Sequence, residues 1–446
     1  VKLFSTYSVK IKHYNHIFQK TTALYRDAVD FLIGVCLAEW DAISVIDLDM
    51  FRQQYVEHLC HRTRKNLNIK YPEFDQKFYK FPSYLRRSAI REALGKVSSY
   101  RSSLANWKAS EPESHGRKPS YPKAGYTYPS LYRTGMYEQT GDYEMKVKVF
   151  TRNTWDWITV SVKKSDMDYI ARWCADRKRC SPTLQKRGKE WFLDFSFEET
   201  VNLPETGVSD QTIIAVDLGI NCAATASVMR SDGTILGRHF CRLPKEYDSL
   251  NHAANRIKKA QQHGNHRIPR LWARAKGINR DIAVKTAHFI MDVAALYHAD
   301  AVVFEHLDRA GKKSGSRKQR LLLWRSQYVQ AMVTDKAHRL GMRISRICAW
   351  GTSRLAYDGS GPVLRGKQTG LPTYSLCRFS NGRVYNCDLS ASYNIGSRYF
   401  IREILKSLPA RERLALEAKV PQSVRRSTCT LSTLINLNAE LMSLAA

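Results

Sequence analysis

The sequence predicts a multidomain protein that combines the α/β and α+β fold classes. Apolar residues recur at helical spacing through most of residues 16–115. Residues 125–208 alternate apolar and polar positions, as half-buried strands do. The second half of the chain joins short continuous apolar runs with long helical stretches, which is typical of buried parallel strands and their helices. A chain of 446 residues is long enough for about three domains.

The helical segment is predicted to interrupt a small β-barrel. The first barrel strand lies in residues 1–12, the helical domain in residues 13–124, and the other strands in residues 125–208. The α/β domain is expected to begin at residue 209, after a linker that contains Pro204 and Gly207.

The composition favours a polyanionic partner. The chain has 71 Lys and Arg residues against 41 Asp and Glu residues, a net charge of +30. Such a field favours nucleic acid over a membrane surface. The ten cysteines include no Cys-x-x-Cys pair, which argues against a disulfide framework and predicts a reducing cytosol. The sequence shows neither a signal-peptide pattern nor an apolar run of about 18 residues, so we expect a soluble cytoplasmic protein with no membrane partner.

Three acidic residues mark the candidate site. Asp217 and Glu305 each end a run of four apolar residues, and Asp388 begins a predicted helix. A buried carboxylate is costly unless it is paired or bound to a metal. Three carboxylates gathered from distant segments could hold two hard cations, magnesium or manganese, for phosphodiester hydrolysis. Taken singly, each residue has a structural explanation, such as helix capping by Asp388.

Two further segments carry basic residues in patterns that suit nucleic acid. One is the predicted helix over residues 83–108, where tyrosines alternate with arginines and could stack on bases. The other is the Gly- and Ser-punctuated stretch of residues 309–320. The predicted contacts are Tyr84, Arg86, Arg87, Arg91, Lys312 and Lys313. The alternative for the helix is an ordinary solvated face.

With these motifs, residues 211–400 resemble the split RuvC nuclease domain of the transposon-encoded TnpB proteins. They are equally similar to the compact type V CRISPR-associated RNA-guided nucleases. The resemblance rests on the motifs at residues 215–220, 304–307 and 388–395. It implies an RNase H-like (RuvC) nuclease domain, preceded by a helical recognition domain inserted in a small β-barrel (wedge) domain. The implied nuclease parts are residues 209–349 and 388–446, the latter with a C-terminal helical tail, and residues 350–387 form a target-nucleic-acid-binding insert.

The resemblance also implies a function. It predicts a magnesium-dependent DNA endonuclease that cuts target double-stranded DNA, selected by a guide RNA, at a single RuvC-like site. The implied cofactors are two Mg²⁺ ions, which Mn²⁺ can replace. Asp217 would bridge both ions, and Glu305 and Asp388 would each complete one. A monomer or a homodimer on one RNA, in the prokaryotic cytosol, completes the expectation.

The insert departs from the family pattern. Ala356, Gly359 and Ser380 stand where the family has zinc-binding cysteines, and only Cys377 is retained. A structural zinc site needs four nitrogen or sulfur ligands, so we predict no zinc. The insert would then hold together by packing of its aromatic residues, Trp350, Tyr357, Tyr374 and Phe379. Arg354 and Arg383, also in the insert, are predicted to contact the phosphates of the DNA strand.

Two other functions remain open from the sequence. One is an RNA-guided DNA-binding repressor without cleavage, against which the presence of all three carboxylates counts. The other is an unguided, structure-selective RuvC-type nuclease, against which the helical and barrel regions count.

Overall fold

A computed structural model describes most of the chain in two compact units. The described residues are 1–13, 16–109, 117–132, 135–219, 222–306, 317–366, 369–373 and 375–445, with the backbone alone for 317–324 and 444–445. The N-terminal unit comprises residues 2–199, and the C-terminal unit comprises Val1 with residues 200–446.

The N-terminal unit contains a helical part between its first and second strands. Its helices are α1 (Ile17–Ala38), α2 (Trp40–Ser44), α3 (Asp49–Cys60), α4 (Glu73–Lys77) and α5 (Ser83–Ala109). Helices α1 and α5 pack against each other, and Val29 and Leu32 of α1 are fully buried. The buried pair Arg86–Glu57 joins α5 to α3.

The strands of this unit form two sheets. They are β1 (Lys2–Lys10), β2 (Tyr137–Gln139), β3 (Glu144–Thr151), β4 (Thr154–Ser161), β5 (Lys178–Arg179), β6 (Thr183–Arg187) and β7 (Glu190–Thr200), with helix α6 (Lys164–Trp173) after β4. One sheet is β2-β3-β4, and in the other β7 pairs with β1 on one edge and with β5 and β6 on the opposite edge. The β3–β4 turn uses Arg152 and Asn153, both with positive φ, as two-residue hairpin turns require.

The expected closed barrel is not found among the described residues. The two sheets share one hydrophobic core, but their hydrogen-bond ladders meet only at single points. The backbone nitrogen of Lys12 donates to the Ser161 carbonyl at 2.9 Å and that of Lys163 donates to the Lys10 carbonyl at 2.8 Å, around an isolated bridge between Ile11 and Val162. A barrel needs a continuous ladder around its circumference, which isolated bridges do not supply.

The C-terminal unit is built on a five-stranded mixed sheet with the order β10-β9-β8-β11-β12. The strands are β8 (Thr212–Asp217), β9 (Ala224–Arg230), β10 (Ile235–Cys241), β11 (Ala301–Glu305) and β12 (Arg343–Ile347), and a small hairpin adds β13 (Leu376–Arg378) and β14 (Val384–Asn386). The helices are α7 (Pro244–Gln262), α8 (Pro269–Leu296), α9 (Arg317–Arg339), α10 (Cys387–Ser407), α11 (Ala410–Lys419) and α12 (Leu431–Ala445). Strands β8, β11 and β12 are mutually parallel, whereas β9 and β10 run antiparallel to their neighbours.

The central sheet is buried on both faces, which explains the continuous apolar runs of β8 and β11. Alternate residues of β8 point to opposite sides, so Ile213 joins the core under α10 and α12, and Ile214 joins the core under α8 and α9. Helix α10 crosses the sheet closely at Gly396, where an added Cβ would lie 3.1 Å from the Cβ of Ala215. No helix within the described ranges has the length and apolar character that a membrane span requires.

Candidate active site

The fold brings the three predicted carboxylate residues to one end of the central sheet. Asp217 and Glu305 are the last residues of two neighbouring parallel strands, which are paired through Val216 and Phe304. Asp388 lies in the first turn of α10, the helix that packs on β8. Parallel strands end at the same edge, so the side chains of Asp217 and Glu305 start from adjacent positions there.

Asp388 is not used as a helix cap. Asn386 caps α10, because its side chain accepts a hydrogen bond from the backbone nitrogen of Leu389 at 2.9 Å. The Asp388 carboxylate lies beside the turn that follows Asp217: a Cβ added at Gly219 would be 3.8 Å from Asp388 Oδ2 and 2.8 Å from the Cys222 carbonyl oxygen. Glycine at position 219 is therefore required by the close approach of the Cys222 carbonyl, and the Asp388 carboxylate lies at van der Waals distance from the same turn.

Electrostatic interaction links the three acids. Burial is the largest cause and repulsion from Glu305 and Asp388 the next, and together they raise the pKa of Asp217 well above its usual value. Burial also raises the pKa of Glu305, opposed by a hydrogen bond from Thr352 and by the charge of Arg398. Burial likewise raises the pKa of Asp388, and the positive charge of Arg365 offsets part of this rise. Without a further cation, the site therefore resists carrying its full negative charge.

The chemistry of this donor set fits a hard divalent cation. Carboxylate oxygens are the ligands such ions prefer, and an added positive charge would relieve the repulsion between the acids. All three residues remain partly exposed, so an ion can reach them. Over the described ranges, however, no three His, Cys, Asp or Glu side chains form a preformed metal cage. The acids interact through space, and a bound ion would have to draw them together.

Two residues that sequence reasoning missed belong to the site. The buried hydroxyl of Thr352 donates to Glu305 Oε1 and so fixes one orientation of that carboxylate. Arg365 is exposed, and its charge lowers the pKa values of both Asp217 and Asp388. Neither residue stands out in the sequence, because each lies in an irregular segment and acquires its role only through the fold.

The predicted basic face of α5 is divided by the structure. Arg86 is 6% exposed, and its Nε and Nη2 donate to Glu57 Oε1 at 3.0 and 2.8 Å. Arg86 is therefore a buried ion pair and not a nucleic-acid contact, which corrects the prediction. Arg87 and Arg91 are exposed. Tyr84 stacks on the Tyr132 ring with centroids 5.3 Å apart.

The other predicted nucleic-acid contacts lie in the C-terminal unit. Lys312 and Lys313 lie outside the described residues. Arg354 is exposed, with its guanidinium 5.8 Å from the Trp350 ring centroid. Arg383 is also exposed, and its guanidinium lies 5.6 and 5.4 Å from the ring centroids of Tyr357 and Tyr385. The arginine whose charge acts on the carboxylates Asp217 and Asp388 is Arg365, not Arg354 or Arg383.

The insert has a small core of its own. Ala356, Cys377, Phe379 and Cys387 are buried together, and Tyr357, Val363 and Tyr385 pack against them. The rings of Tyr357 and Phe379 meet edge to face at 5.6 Å, as the predicted packing requires. Trp350 is 71% exposed and takes no part in this core, which corrects the prediction for that residue, and Tyr374 lies outside the described residues.

The chain is similar in sequence to one protein family and to two proteins of one bacterial strain. The model of the Aq_aa04 family matches residues 5–151. A TnpB-like protein, aq_aa05 of Aquifex aeolicus (strain VF5), is 26% identical over 238 residues, which cover 48% of this chain and 76% of that protein. The uncharacterized protein aq_aa04 of the same strain is 50% identical over 50 residues, which cover 11% of this chain and 29% of that protein.

The fold has a counterpart among solved structures. The protein in a cryo-EM structure of a Cas12f1–sgRNA–target DNA complex superposes with a TM-score of 0.52. The match covers 84% of this chain and 81% of that one, at 12% sequence identity. The chain therefore shares the multidomain α/β fold of that protein, as the sequence predicted.

Proposed function

We propose that this chain, which is similar in sequence to a TnpB-like protein and in fold to a Cas12f1 protein, is an RNA-guided endonuclease that cleaves target DNA. The observation that carries this proposal is the gathering of Asp217, Glu305 and Asp388 at one end of the central sheet, where burial and mutual repulsion call for a cation. Metal-dependent hydrolysis of phosphodiesters uses such a place to hold the ions.

The carboxylates are proposed to hold two Mg²⁺ or Mn²⁺ ions. Bound there, such ions supply an activated water and neutralise the leaving 3′ oxygen. Asp217, the most strongly repelled of the three acids, would share both ions, and Glu305 and Asp388 would each hold one. Thr352 keeps the Glu305 carboxylate oriented through its hydrogen bond, so that less motion is needed when an ion arrives.

Arg365 is proposed to meet the phosphate of the DNA strand. It is exposed, and its charge acts on Asp217 and Asp388 from the insert side of the site. A guanidinium offers two parallel N–H donors to a phosphate, so Arg365 could hold the strand while the carboxylates hold the ions. Arg354 and Arg383 stay candidates for more distant phosphates of the same strand.

The partners follow from the same proposal. A guide RNA would pair with one strand of double-stranded DNA, and the protein would hold the duplex by its shape and charge. The net charge of +30 suits both polyanions. The two-sheet N-terminal unit and its helices would serve as wedge and recognition domains, in one or two copies on one RNA, in the prokaryotic cytosol.

The test begins with purification of the protein from cells that express its own locus, followed by sequencing of the RNA that comes with it. A discrete RNA with a variable end defines the DNA to be offered with Mg²⁺. Asp217→Ala should abolish cleavage and leave RNA and DNA binding nearly intact. Asp335→Ala, which removes a surface carboxylate paired with Arg339, is the matched control and should cut normally.

Each failure points to a different function. If only random RNA fragments came with the protein, guidance would be refuted and an unguided structure-selective nuclease would take its place. A guided repressor without cleavage stays a candidate because the insert has Ala356, Gly359 and Ser380 where the resemblance places zinc-binding cysteines. It would be established by a discrete RNA, tight target binding and no cutting with either Mg²⁺ or Mn²⁺.

A further inference from the structure

The hairpin of helices α7 and α8 carries a dense and uncompensated positive charge. Residues 249–280 contain no Asp or Glu and eight Lys or Arg residues. All eight side chains are exposed. They are Arg256, Lys258, Lys259, Arg267, Arg270, Arg274, Lys276 and Arg280. We call this segment the basic tip.

The base of the same hairpin is different. There, Lys285 of α8 pairs with Glu246 of α7 at 2.6 Å and with Asp281 at 3.0 Å. Among the residues that the structure describes, no carboxylate lies within ion-pair distance of any cation in the basic tip, although Arg280 lies 5.9 Å from the Tyr328 ring centroid. Like charges held this close repel one another, and an approaching polyanion would relieve that repulsion.

The basic tip is also a preformed surface. Ala253 and Ile257 of α7 pack with Ile268 and Ala275 of the opposite side of the hairpin, in a small core separate from the two cores of the central sheet. The half-buried Trp272 packs against this core. The two helices are therefore fixed to each other by their own apolar side chains, which leaves the cations on the outer surface.

We propose that the basic tip binds the sugar–phosphate backbone of a nucleic-acid duplex without reading its sequence. Single-stranded nucleic acid is bound by cations together with exposed aromatic side chains that stack on bases. The basic tip has one Phe, Tyr or Trp residue, Trp272, and its ring is engaged in the small core. A duplex hides its bases and offers phosphates, which is what this surface can bind.

The dimensions agree with a backbone contact. Arg270 and Arg280 lie on the same helix ten residues apart, which corresponds to about 15 Å along its axis. A DNA duplex carries one negative charge per about 1.7 Å of its axis, so several phosphates fall within this span. The inference deepens the proposed function by naming a surface that would hold the duplex, and it rests on that function only for the choice of nucleic acid as ligand.

The test compares two triple variants of the full-length chain, freed of co-purified nucleic acid and kept without divalent cations. One variant carries Lys258→Gln, Arg270→Gln and Lys276→Gln in the basic tip. The control carries Lys285→Gln, Arg339→Gln and Lys419→Gln, which remove the same charge from residues that are ion-paired. Affinity for two short DNA duplexes of unrelated sequence is measured across a range of salt concentrations.

The expected result is a loss confined to the basic-tip variant. Three phosphate contacts contribute about 2.7 to the slope of log affinity against log salt, so the slope should become shallower by about that amount. This corresponds to binding about a hundredfold weaker at about 0.15 M salt, equally for both duplexes. The control should keep the slope of the wild type.

Other results would overturn the inference. Equal losses in both triple variants would mean that only net charge matters, and an unchanged slope in the basic-tip variant would mean that the tip does not touch the duplex. A loss for one duplex alone would indicate base reading. If the basic-tip variant bound duplexes as the wild type does and still cleaved guided targets, the role of the basic tip would be refuted and the proposed function would stand. If the wild-type chain bound no nucleic acid, both the role of the basic tip and the proposed function would be refuted.

Discussion

Replacing Arg398 should destabilise the C-terminal unit far more than replacing any neighbouring cation. Its guanidinium is 4% exposed and donates to four backbone carbonyls. Nη1 reaches the oxygens of Cys348 and Trp350 at 2.7 and 2.8 Å, Nη2 reaches Ser427 at 2.8 Å, and Nε reaches Cys429 at 3.1 Å. These bonds join helix α10 to two irregular segments.

The magnitude follows from what Arg398→Ala leaves behind. Each hydrogen bond from a charged donor is worth about 1.5–3 kcal/mol, but one side chain makes all four, and water entering the space would satisfy some carbonyls. Loss of one member of a buried charged network typically costs about 3–5 kcal/mol, and we expect a value in that range. For a unit of this size, each kcal/mol lowers Tm by about 2–4 °C, so the decrease should be roughly 6–20 °C.

Calorimetry of the full-length chain would measure this change. Arg402→Ala, one turn further along α10, is the control: Arg402 is 31% exposed, pairs with the adjacent Glu403, and donates to Ser345 Oγ at 2.8 Å and to the Arg346 carbonyl at 3.3 Å. A surface pair contributes about 0–1 kcal/mol and water can replace the partners of an exposed side chain, so the control should lower Tm much less than Arg398→Ala. Arg398→Lys keeps the charge without the planar fork and should fall between the two. If Arg398→Ala shifted Tm no more than Arg402→Ala, the stabilising role assigned to the four hydrogen bonds of Arg398 would be wrong.

Three shorter predictions follow from the same site and its surroundings. Asp217→Asn should abolish cleavage and yet raise Tm in the absence of divalent ions. Folding raises the pKa of the Asp217 carboxyl, so the folded protein binds more protons there than the unfolded chain does, and this group lowers the stability of the protein as pH rises. An equal or lower Tm of the variant at pH 7 would contradict the repulsion between Asp217 and the other two acids. Metal analysis of purified protein should find far less than one zinc per chain, and a stoichiometric value would disprove our interpretation of the insert. Cys348 is the one exposed cysteine, whereas burial raises the pKa of Cys241 and of Cys429 to about 11, so an alkylating reagent at neutral pH should modify Cys348 first, and Cys348→Ser should remove that fast phase.

The sequence was most informative where one strong physical requirement acts locally. The runs before Asp217 and Glu305 are continuously apolar because both faces of β8 and β11 are covered, and parallel neighbours must end at the same edge. The convergence of two carboxylates could therefore be expected from the chain alone. Asp388 needed the structure, since its capping role was excluded only when Asn386 was seen to cap α10.

Features that depend on distant partners could not be predicted from local patterns. Arg86 looks like its exposed neighbour Arg87 in sequence, and it is buried because Glu57, on another helix, accepts its hydrogen bonds. Alternation predicted strands in the N-terminal unit, but whether a ladder closes depends on pairing between segments far apart in the chain. The role of Arg365 likewise depends on how the insert is placed against the sheet.

Helix α10 fixes the segment that leads into the insert through side-chain hydrogen bonds. The helix supplies Asp388 at its start, and further along it holds the segment that leads into the insert. Asn394 donates to the Thr352 and Leu355 carbonyls at 2.9 Å each, and Arg398 donates to the carbonyls just before them. Thr352 in turn orients Glu305. One rigid helix thus fixes a carboxylate directly and a second one through the insert, so that the placement of the insert and the geometry of the acids depend on the same packing against the sheet.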